Sequence, residues 1–378
     1  MKIAIVTDAW APQVNGVVTT LVDLIGRLAS IGHEVVLVEP SAFRRVHCPG
    51  YREIELAWLP GAKVRRLLDV AQADAIHVAT EGPLGAAARR YCIQEGLPFT
   101  TAFHSRFPDF LSAAFGVPAR WGYAALRRFH APSAGVMVPS SGTIEILASH
   151  GFDRLRRWSH GIDLDLFQPR EGASLNLPRP VFLFVGRISP EKNLEAFLRL
   201  DLPGSKVVCG GGPLLARLRK AYPAVRWIGP TPRHQLIEFY RAADSFVYPS
   251  RTDTFGLVML EALACGTPVA AFPVPGPLDV VGDSDGGVLD ADLRDAALRS
   301  LEVPRSRARA RALAFDWNLV CRQFVSYLAP IRRWKSEPGT ATCRSASVGI
   351  AGGFPDNGTS ASSKNRWRAQ DIVSKAHL

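Results

Sequence analysis

The chain of 378 residues has no CxxC pair, no His/Cys cluster at zinc spacing and no apolar run long enough to cross a bilayer. Its six cysteines, Cys48, Cys92, Cys209, Cys265, Cys321 and Cys343, are scattered, several of them inside apolar stretches. That distribution argues for buried reduced thiols and against disulfides or metal ligation. The most apolar segments, 181–185 and 269–272, are only strand-length. A secretory leader is also missing: Lys2 precedes a short Ile-Ala-Ile-Val run and then Asp8, which reads as a first strand. With neither span nor leader, the expected location is the cytoplasm. Acidic residues are in deficit, 34 Asp and Glu against 45 Lys and Arg, which gives a formal net charge of +11. Such an excess attracts polyanions. No zinc finger, basic zipper or RNA-binding aromatic signature accompanies it, so nucleic acid is not an expected partner. Lipid headgroups and nucleotide phosphates remain, beside a generically basic surface.

What is present is an ordinary globular composition, 47% hydrophobic and 21% charged, on a chain too long for one hydrophobic core. Strand and helix signals alternate. In the first half, strands are expected at 2–7, 34–38, 75–78, 99–103 and 135–139, with helices at 17–30, 84–94 and 119–129. Val17, Leu21, Leu24, Ile25 and Leu28 share one face of the first helix, and Gly32 stops it. The second half repeats the scheme, with strands at 181–185, 206–209, 225–228, 245–248 and 269–272. Helices are expected there at 193–200, 214–221, 234–243 and 257–264. Apolar strands alternating with helices imply parallel sheets covered on both faces, hence two doubly wound domains. Their expected bounds are 1–168 and 169–334, with the last helix packing back on the first domain. From 335 to 378 the sequence is rich in Ser, Gly, Thr, Ala and Lys without apolar periodicity, and reads as a disordered or non-native tail. In doubly wound sheets ligands bind beyond the carboxyl ends of the strands, so two facing domains make a cleft.

Four segments sit at such strand ends. The loop from Asp8 to Gly16 leads into a helix start; it lacks a GxGxxG fingerprint, so it signals an anion site or a plain Asn15-Gly16 turn, not a dinucleotide site. Gly186-Arg187 through Lys192 follows the 181–185 strand, and its two cations suit a diphosphate. Cys209-Gly-Gly-Gly-Pro213 either lets a ligand approach bare backbone or makes a tight turn. The most informative stretch runs from Pro249 to Pro268. Asp253 lies in a loop, Glu261 in the following helix, and Phe255, Gly256, Leu257 and Val258 span the helix start, where amides are unpaired. Paired carboxylates serve as general acid and base in glycoside hydrolysis. A phosphate cradle between two carboxylates fits a nucleotide sugar better.

The 253–261 segment resembles the E-x7-E motif of family 4 glycosyltransferases, with Asp253 at the first acidic position, where many members carry Glu, and Glu261 at the second. Gly161-Ile-Asp163 followed by Phe167 and Pro169, Val185-Gly-Arg187, Lys192, Tyr240, Ala243-Asp244 and Pro249-Ser250 are similar to the same family. The resemblance covers roughly residues 1–330 and implies the GT-B architecture and transfer of a hexose-type sugar, with retention, from a UDP- or GDP-linked donor. It assigns Arg187, Lys192 and Gly16 to the donor diphosphate, Glu261 to ribose hydroxyls, Asp253 with the backbone of 255–258 to the transferred sugar, and His104 to that sugar from the first domain. No metal or cofactor is expected. Asp253 is one methylene shorter than Glu, which moves the sugar contact or alters donor preference. Base recognition is expected near 230–233.

The opening 9–16 and His104-Ser-Arg-Phe107 resemble members that act on lipids, such as mannosyl-, sulfoquinovosyl- and diacylglycerol glycosyltransferases. Phe107, Phe110, Leu111, Phe115 and Trp121 beside Arg120, Arg127 and Arg128, and Lys63, Arg65 and Arg66 before Leu67 and Leu68, fit an anionic membrane surface or a core with a solvated basic face. A lipid acceptor such as diacylglycerol, on the inner face of the cytoplasmic membrane, is the expectation. A GDP-mannose-dependent α-mannosyltransferase acting on a glycolipid or polysaccharide precursor, a nucleotide-sugar 2-epimerase and an impaired nucleotide-sugar-binding protein are the alternatives. Arg305, Arg307, Arg309 and Arg311 read as a solvated helix end.

Overall fold

A computed structural model describes residues 1–332 except 14, 49–50, 110–111 and 113–115; for 48 and 51–54 only the backbone is described. The stretch 335–378, Cys343, Phe110, Leu111 and Phe115 therefore lie outside the described residues. Two six-stranded parallel sheets form the body. The first has the order β2-β1-β5-β6-β7-β8, built from Lys2–Val6 (β1), Glu34–Val38 (β2), Ala75–Val78 (β5), Thr100–Ala102 (β6), Val136–Val138 (β7) and Leu155–Arg157 (β8). Between β2 and β5 the chain inserts an antiparallel hairpin, Arg45–Cys48 (β3) with Tyr51–Ala57 (β4). The second sheet has the order β11-β10-β9-β12-β13-β14, from Val181–Val185 (β9), Ser205–Cys209 (β10), Arg226–Gly229 (β11), Ser245–Tyr248 (β12), Val269–Ala271 (β13) and Gly287–Leu289 (β14). Every residue of β9 is buried, as befits a central strand covered on both faces. The strand order reverses between β1 and β5 in one sheet and between β9 and β12 in the other, which opens a crevice at each point.

The helix Gly16–Ser30 begins at Asn15, whose side chain accepts the amides of Val17 and Val18 at 3.0 Å, so Asn15 is an N-cap. It ends at Gly32, where φ is +85° and the His33 amide returns to the Leu28 carbonyl at 3.0 Å. Its buried stripe of Leu21, Leu24, Ile25 and Leu28 meets Trp317, Val320 and Phe324 of the helix Trp317–Tyr327 in the first-domain core. The chain thus crosses between domains twice. The crossings run side by side: Ile162 and Asp316 form a parallel bridge, and the Ile162 amide donates to the Phe315 carbonyl at 3.0 Å. Gly161 has no room for a Cβ, which would lie 2.5 Å from the Trp317 ring.

One expectation is corrected. The arginine alternation is not a solvated helix end. On the helix Arg305–Ala312, Arg305 donates to the carbonyls of Arg241 and Ala243, Arg309 to those of Leu164, Phe167 and Ala264, and Arg311 to those of Asp279 and Val280. Several of these carbonyls lie at the C-terminal ends of the helices Arg233–Ala242, Leu257–Ala264 and Pro275–Val280, where intrahelical donors run out. Arg307, paired with Asp285, is the exposed member. In the triple-glycine loop, close backbone packing accounts for two of the glycines. A Cβ on Gly210 would stand 1.9 Å from the Gly186 carbonyl oxygen, and one on Gly212 2.4 Å from that of Ile188. The glycines let this loop lie against the Arg187 loop, sealed by the Ile188 amide to the Gly211 carbonyl at 2.8 Å. Cys92, Cys209, Cys265 and Cys321 are buried free thiols, the first three pushed up to about 12 by burial.

Candidate active site

In the first domain the crevice between β1 and β5 is filled from within. Asp8 accepts the amides of Leu84 at 2.8 Å and Gly85 at 3.2 Å and the Thr80 hydroxyl at 2.9 Å, at the start of the helix Pro83–Gln94. Burial raises its carboxyl pKa, and those donors work against the rise. The anion position of this helix is occupied by the protein's own carboxylate.

The matching crevice in the second domain, between β9 and β12, collects the cations and carboxylates. The loop after β9 carries exposed Arg187 and then Lys192, and the loop after β12 carries Asp253. Lys192 Nζ contacts both Asp253 carboxylate oxygens at 2.7 Å, and the Tyr248 hydroxyl donates to the same carboxylate. Burial pushes the Asp253 carboxyl up, but the Lys192 charge and hydrogen bond, helped by Tyr248 and Ser250, outweigh it and hold the pKa below the ordinary value. A lysine ammonium has three donors; two are spent on Asp253, and the third remains to meet an anion. Gly256, at φ +94°, turns the chain into the helix Leu257–Ala264; a Cβ there would lie 2.8 Å from the Tyr248 hydroxyl oxygen. Phe255 is buried, and Leu257 and Val258 follow at the first turn. Gly16 faces this turn across the cleft: a Cβ on it would be 3.6 Å from Leu257.

Glu261 is 5% exposed on that helix. Arg233 Nε donates to its Oε1 at 3.0 Å and the Tyr240 hydroxyl to its Oε2 at 2.8 Å. His104 enters from the first domain. Its backbone carbonyl accepts the Thr254 hydroxyl at 2.7 Å, which ties it to the Asp253 loop. Its ring stacks on His160 with centroids 5.8 Å apart, and His160 meets Phe255 edge-on at 4.9 Å. Neither His104 ring nitrogen has a hydrogen-bond partner within the protein. Burial lowers His104 to about 4 and, with the His104 charge as a smaller cause, His77 and His160 to about 3. The neutral His104 ring presents one donor and one acceptor.

The site residues expected from the sequence thus fall in two groups, Arg187, Lys192 and Asp253 at one end and Glu261 at the other, with residues 255–258 between them and Gly16 and His104 opposite. Sequence reasoning missed Tyr248, His77, His160, Asp8 and Asp23. Asp23 left a signal, a carboxylate inside the apolar run from Leu21 to Ile25. Tyr240 was visible only through the family resemblance. Among the described residues no three His, Cys, Asp or Glu side chains are grouped to hold a metal ion.

Two facing doubly wound domains with a cation-and-carboxylate crevice at the second switch point define a GT-B glycosyltransferase. Residues 14–166 match the family described as Glycosyltransferase Family 4, and residues 168–301 match glycosyl transferases group 1. A GDP-mannose-dependent alpha-mannosyltransferase of Mycobacterium tuberculosis is 30% identical over 88% of this chain and 97% of its own length. A sulfoquinovosyl transferase of Arabidopsis thaliana is 26% identical over 86% of this chain and 72% of its own. Among solved structures, a sucrose-phosphate synthase from Thermosynechococcus elongatus superposes with a TM-score of 0.70 at 23% identity, covering 86% of this chain and 97% of that one. The chain belongs to the family 4 glycosyltransferases and is an enzyme of that kind.

Proposed function

We propose that the enzyme moves a hexose-type sugar, with retention of anomeric configuration, from a nucleoside-diphosphate sugar to a hydroxyl of a lipid acceptor at the cytoplasmic membrane face. The observation that carries this reading is the paired arrangement at the second switch point: Lys192 with Asp253 at one end of the helix start and Glu261 at the other. The diphosphate lies between, over the amides of 255–258 and beside Arg187 and Lys192, which neutralise the charge that grows as the sugar–phosphate bond breaks. The acceptor oxygen attacks the anomeric carbon on the face the diphosphate leaves, and a departing phosphate oxygen takes the hydroxyl proton. Asp253 and His104 orient the sugar, and Glu261 accepts ribose hydroxyls. Arg187 and Lys192 supply this neutralisation without a resident metal.

GDP-mannose is the first donor to try, because curated relatives that share most of this chain's length are GDP-mannose-dependent mannosyltransferases. The lipid reading rests on the helix Ala119–His130. Tyr123 and His130 are buried on one side of it, where exposed Arg127 also reaches the His150 carbonyl, while Trp121, 62% exposed, stands with exposed Arg128 on the other and exposed Arg120 between. The second basic cluster supports it less. Lys63 donates to the Ala42 carbonyl and Arg65 pairs with Glu95, while Arg66 is exposed. No described helix is long and apolar enough to cross a membrane.

A panel of GDP- and UDP-sugars against lipid extracts, read by mass spectrometry, tests the reading. The expected product is an acceptor heavier by one hexose, formed in excess EDTA and lost in Lys192→Ala and Glu261→Ala. A donor isomer of unchanged mass would mean epimerisation, and nucleotide binding without turnover would mean a binding protein.

A further inference from the structure

The Arg233 guanidinium joins the two domains through two carboxylates. While Nε serves Glu261, one terminal nitrogen donates to both oxygens of Asp23, at 3.0 and 3.3 Å, and the Phe167 ring lies beneath the guanidinium at 5.0 Å. Asp23 sits midway along Gly16–Ser30 in the first domain, whereas Arg233 and Glu261 belong to the second. Burial raises the Asp23 carboxyl pKa against the pull of Arg233, while burial lowers Arg233 and its two carboxylate partners more than restore it. This chain of charges is nearly enclosed: the Arg233 and Asp23 side chains are 21% and 19% exposed, and that of Glu261 7%.

A carboxylate offers about four lone-pair directions. On Glu261, Arg233 takes one on Oε1 and Tyr240 one on Oε2, so one direction on each oxygen stays available to a pair of neighbouring hydroxyls. The aim of those two lone pairs depends on where Arg233 holds the carboxylate, and Arg233 is held in turn from the opposite domain. We infer that Asp23 is a positioning residue for the donor: it fixes Arg233, and through it Glu261, so that the ribose-reading site of the second domain is complete only while the first-domain helix is docked against it. The inference rests on the assignment of Glu261 to ribose. Binding of the two ribose hydroxyls and docking of the domains then favour each other equally, as linkage requires.

The test uses the full chain and two probes: the nucleoside diphosphate selected by the donor panel, and its 2′,3′-dideoxy analogue. Dissociation constants come from calorimetry, beside kcat and KM for the donor. Asp23→Asn, nearly isosteric, should weaken the ribonucleotide about tenfold, within the roughly 5–150-fold common for coupled sites. It should leave the dideoxy compound's affinity unchanged and raise KM with little effect on kcat, and Asp23→Glu should restore most of the loss. Arg233→Lys, which keeps the charge but not the fork, should lose the same discrimination and serves if Asp23→Asn does not fold. Equal weakening of both probes, or of neither, would overturn the inference. Glu261→Gln separates the two assignments. If it leaves the preference for the ribonucleotide intact, the ribose assignment itself fails. If it removes that preference and Asp23→Asn does not, only the role of Asp23 fails.

Discussion

Acidification from pH 7 to pH 5 should destabilise this protein steeply, and most of the loss should trace to three imidazoles. His77, His104 and His160 are buried, with pKa values near 3, 4 and 3 in the folded chain against an ordinary 6.5. Between pH 6.5 and 4 the unfolded chain binds a proton at each site and the folded chain does not, so stability falls as pH falls through 6.5. At pH 5 the gap of about 1.5 pH units below 6.5 is worth roughly 2 kcal/mol per histidine, or about 6 kcal/mol for the three, a large share of an ordinary domain's stability. Asp8 and Asp23, whose folded values are raised by burial, act in the opposite direction, gaining stability as pH falls towards those values. The contribution of one histidine is therefore best isolated by difference. His77 lends Nδ1 to the Thr100 hydroxyl at 2.9 Å, and its Nε2 has no partner within the protein. His77→Gln keeps a polar group there without the titration. Urea unfolding of both proteins at pH 7 and pH 5 should show the stability difference shrinking by about 2 kcal/mol in the variant. An unchanged difference would refute the reasoning.

Lys192→Ala should lower kcat by about a hundredfold or more, as when a preorganised charge is removed from a leaving group; steady-state kinetics with saturating donor checks it. Asp253→Asn should retain nucleotide affinity while losing turnover, because Lys192 stays in place but the sugar loses its carboxylate; comparison of the dissociation constant with kcat decides. Arg309→Met removes three carbonyl partners at once and should cost about 3 kcal/mol, read by urea unfolding. Trp121→Ala with Arg120→Gln and Arg128→Gln should reduce pelleting with anionic vesicles, and pelleting of the wild type should weaken with salt. Wild-type pelleting that is insensitive to these changes would remove the basis for a membrane-facing acceptor side.

The parallel sheets were legible because their strands are largely apolar: β2 at one edge and the inner strands β5, β9 and β12 occupy the expected residues. The hairpin β3–β4 was not, because Arg45, Arg52, Glu53 and Glu55 break up its apolar positions, although Pro49-Gly50 is a turn signal between the two strands. Beyond Phe272 the elements are short and punctuated by Pro and Gly, and the arginine helix misled because its spacing looks polar. Nothing in the spacing of Arg305, Arg309 and Arg311 tells that carbonyls at the ends of three helices converge on them. In the site, Asp253, Glu261, Arg187 and Lys192 stood out as charges at strand and helix ends. The partners that hold them did not. Tyr248 and Tyr240 look like core aromatics, and Asp23 and His160 reach the crevice only through the docking of one domain on the other.

The paired crossings at Ile162 and Asp316 carry a mechanical consequence. Two strands of chain pinned side by side act as a door hung on one edge. The far edge can swing, but the halves cannot rotate freely or slide apart. A further tie between the halves is Asp279 of the second domain, which accepts the Ser141 amide at 2.9 Å and pairs with Arg157. Cutting the chain after residue 168 would not yield a working half, because the panel that closes the first core, Trp317–Tyr327, is hung from the other side of the door.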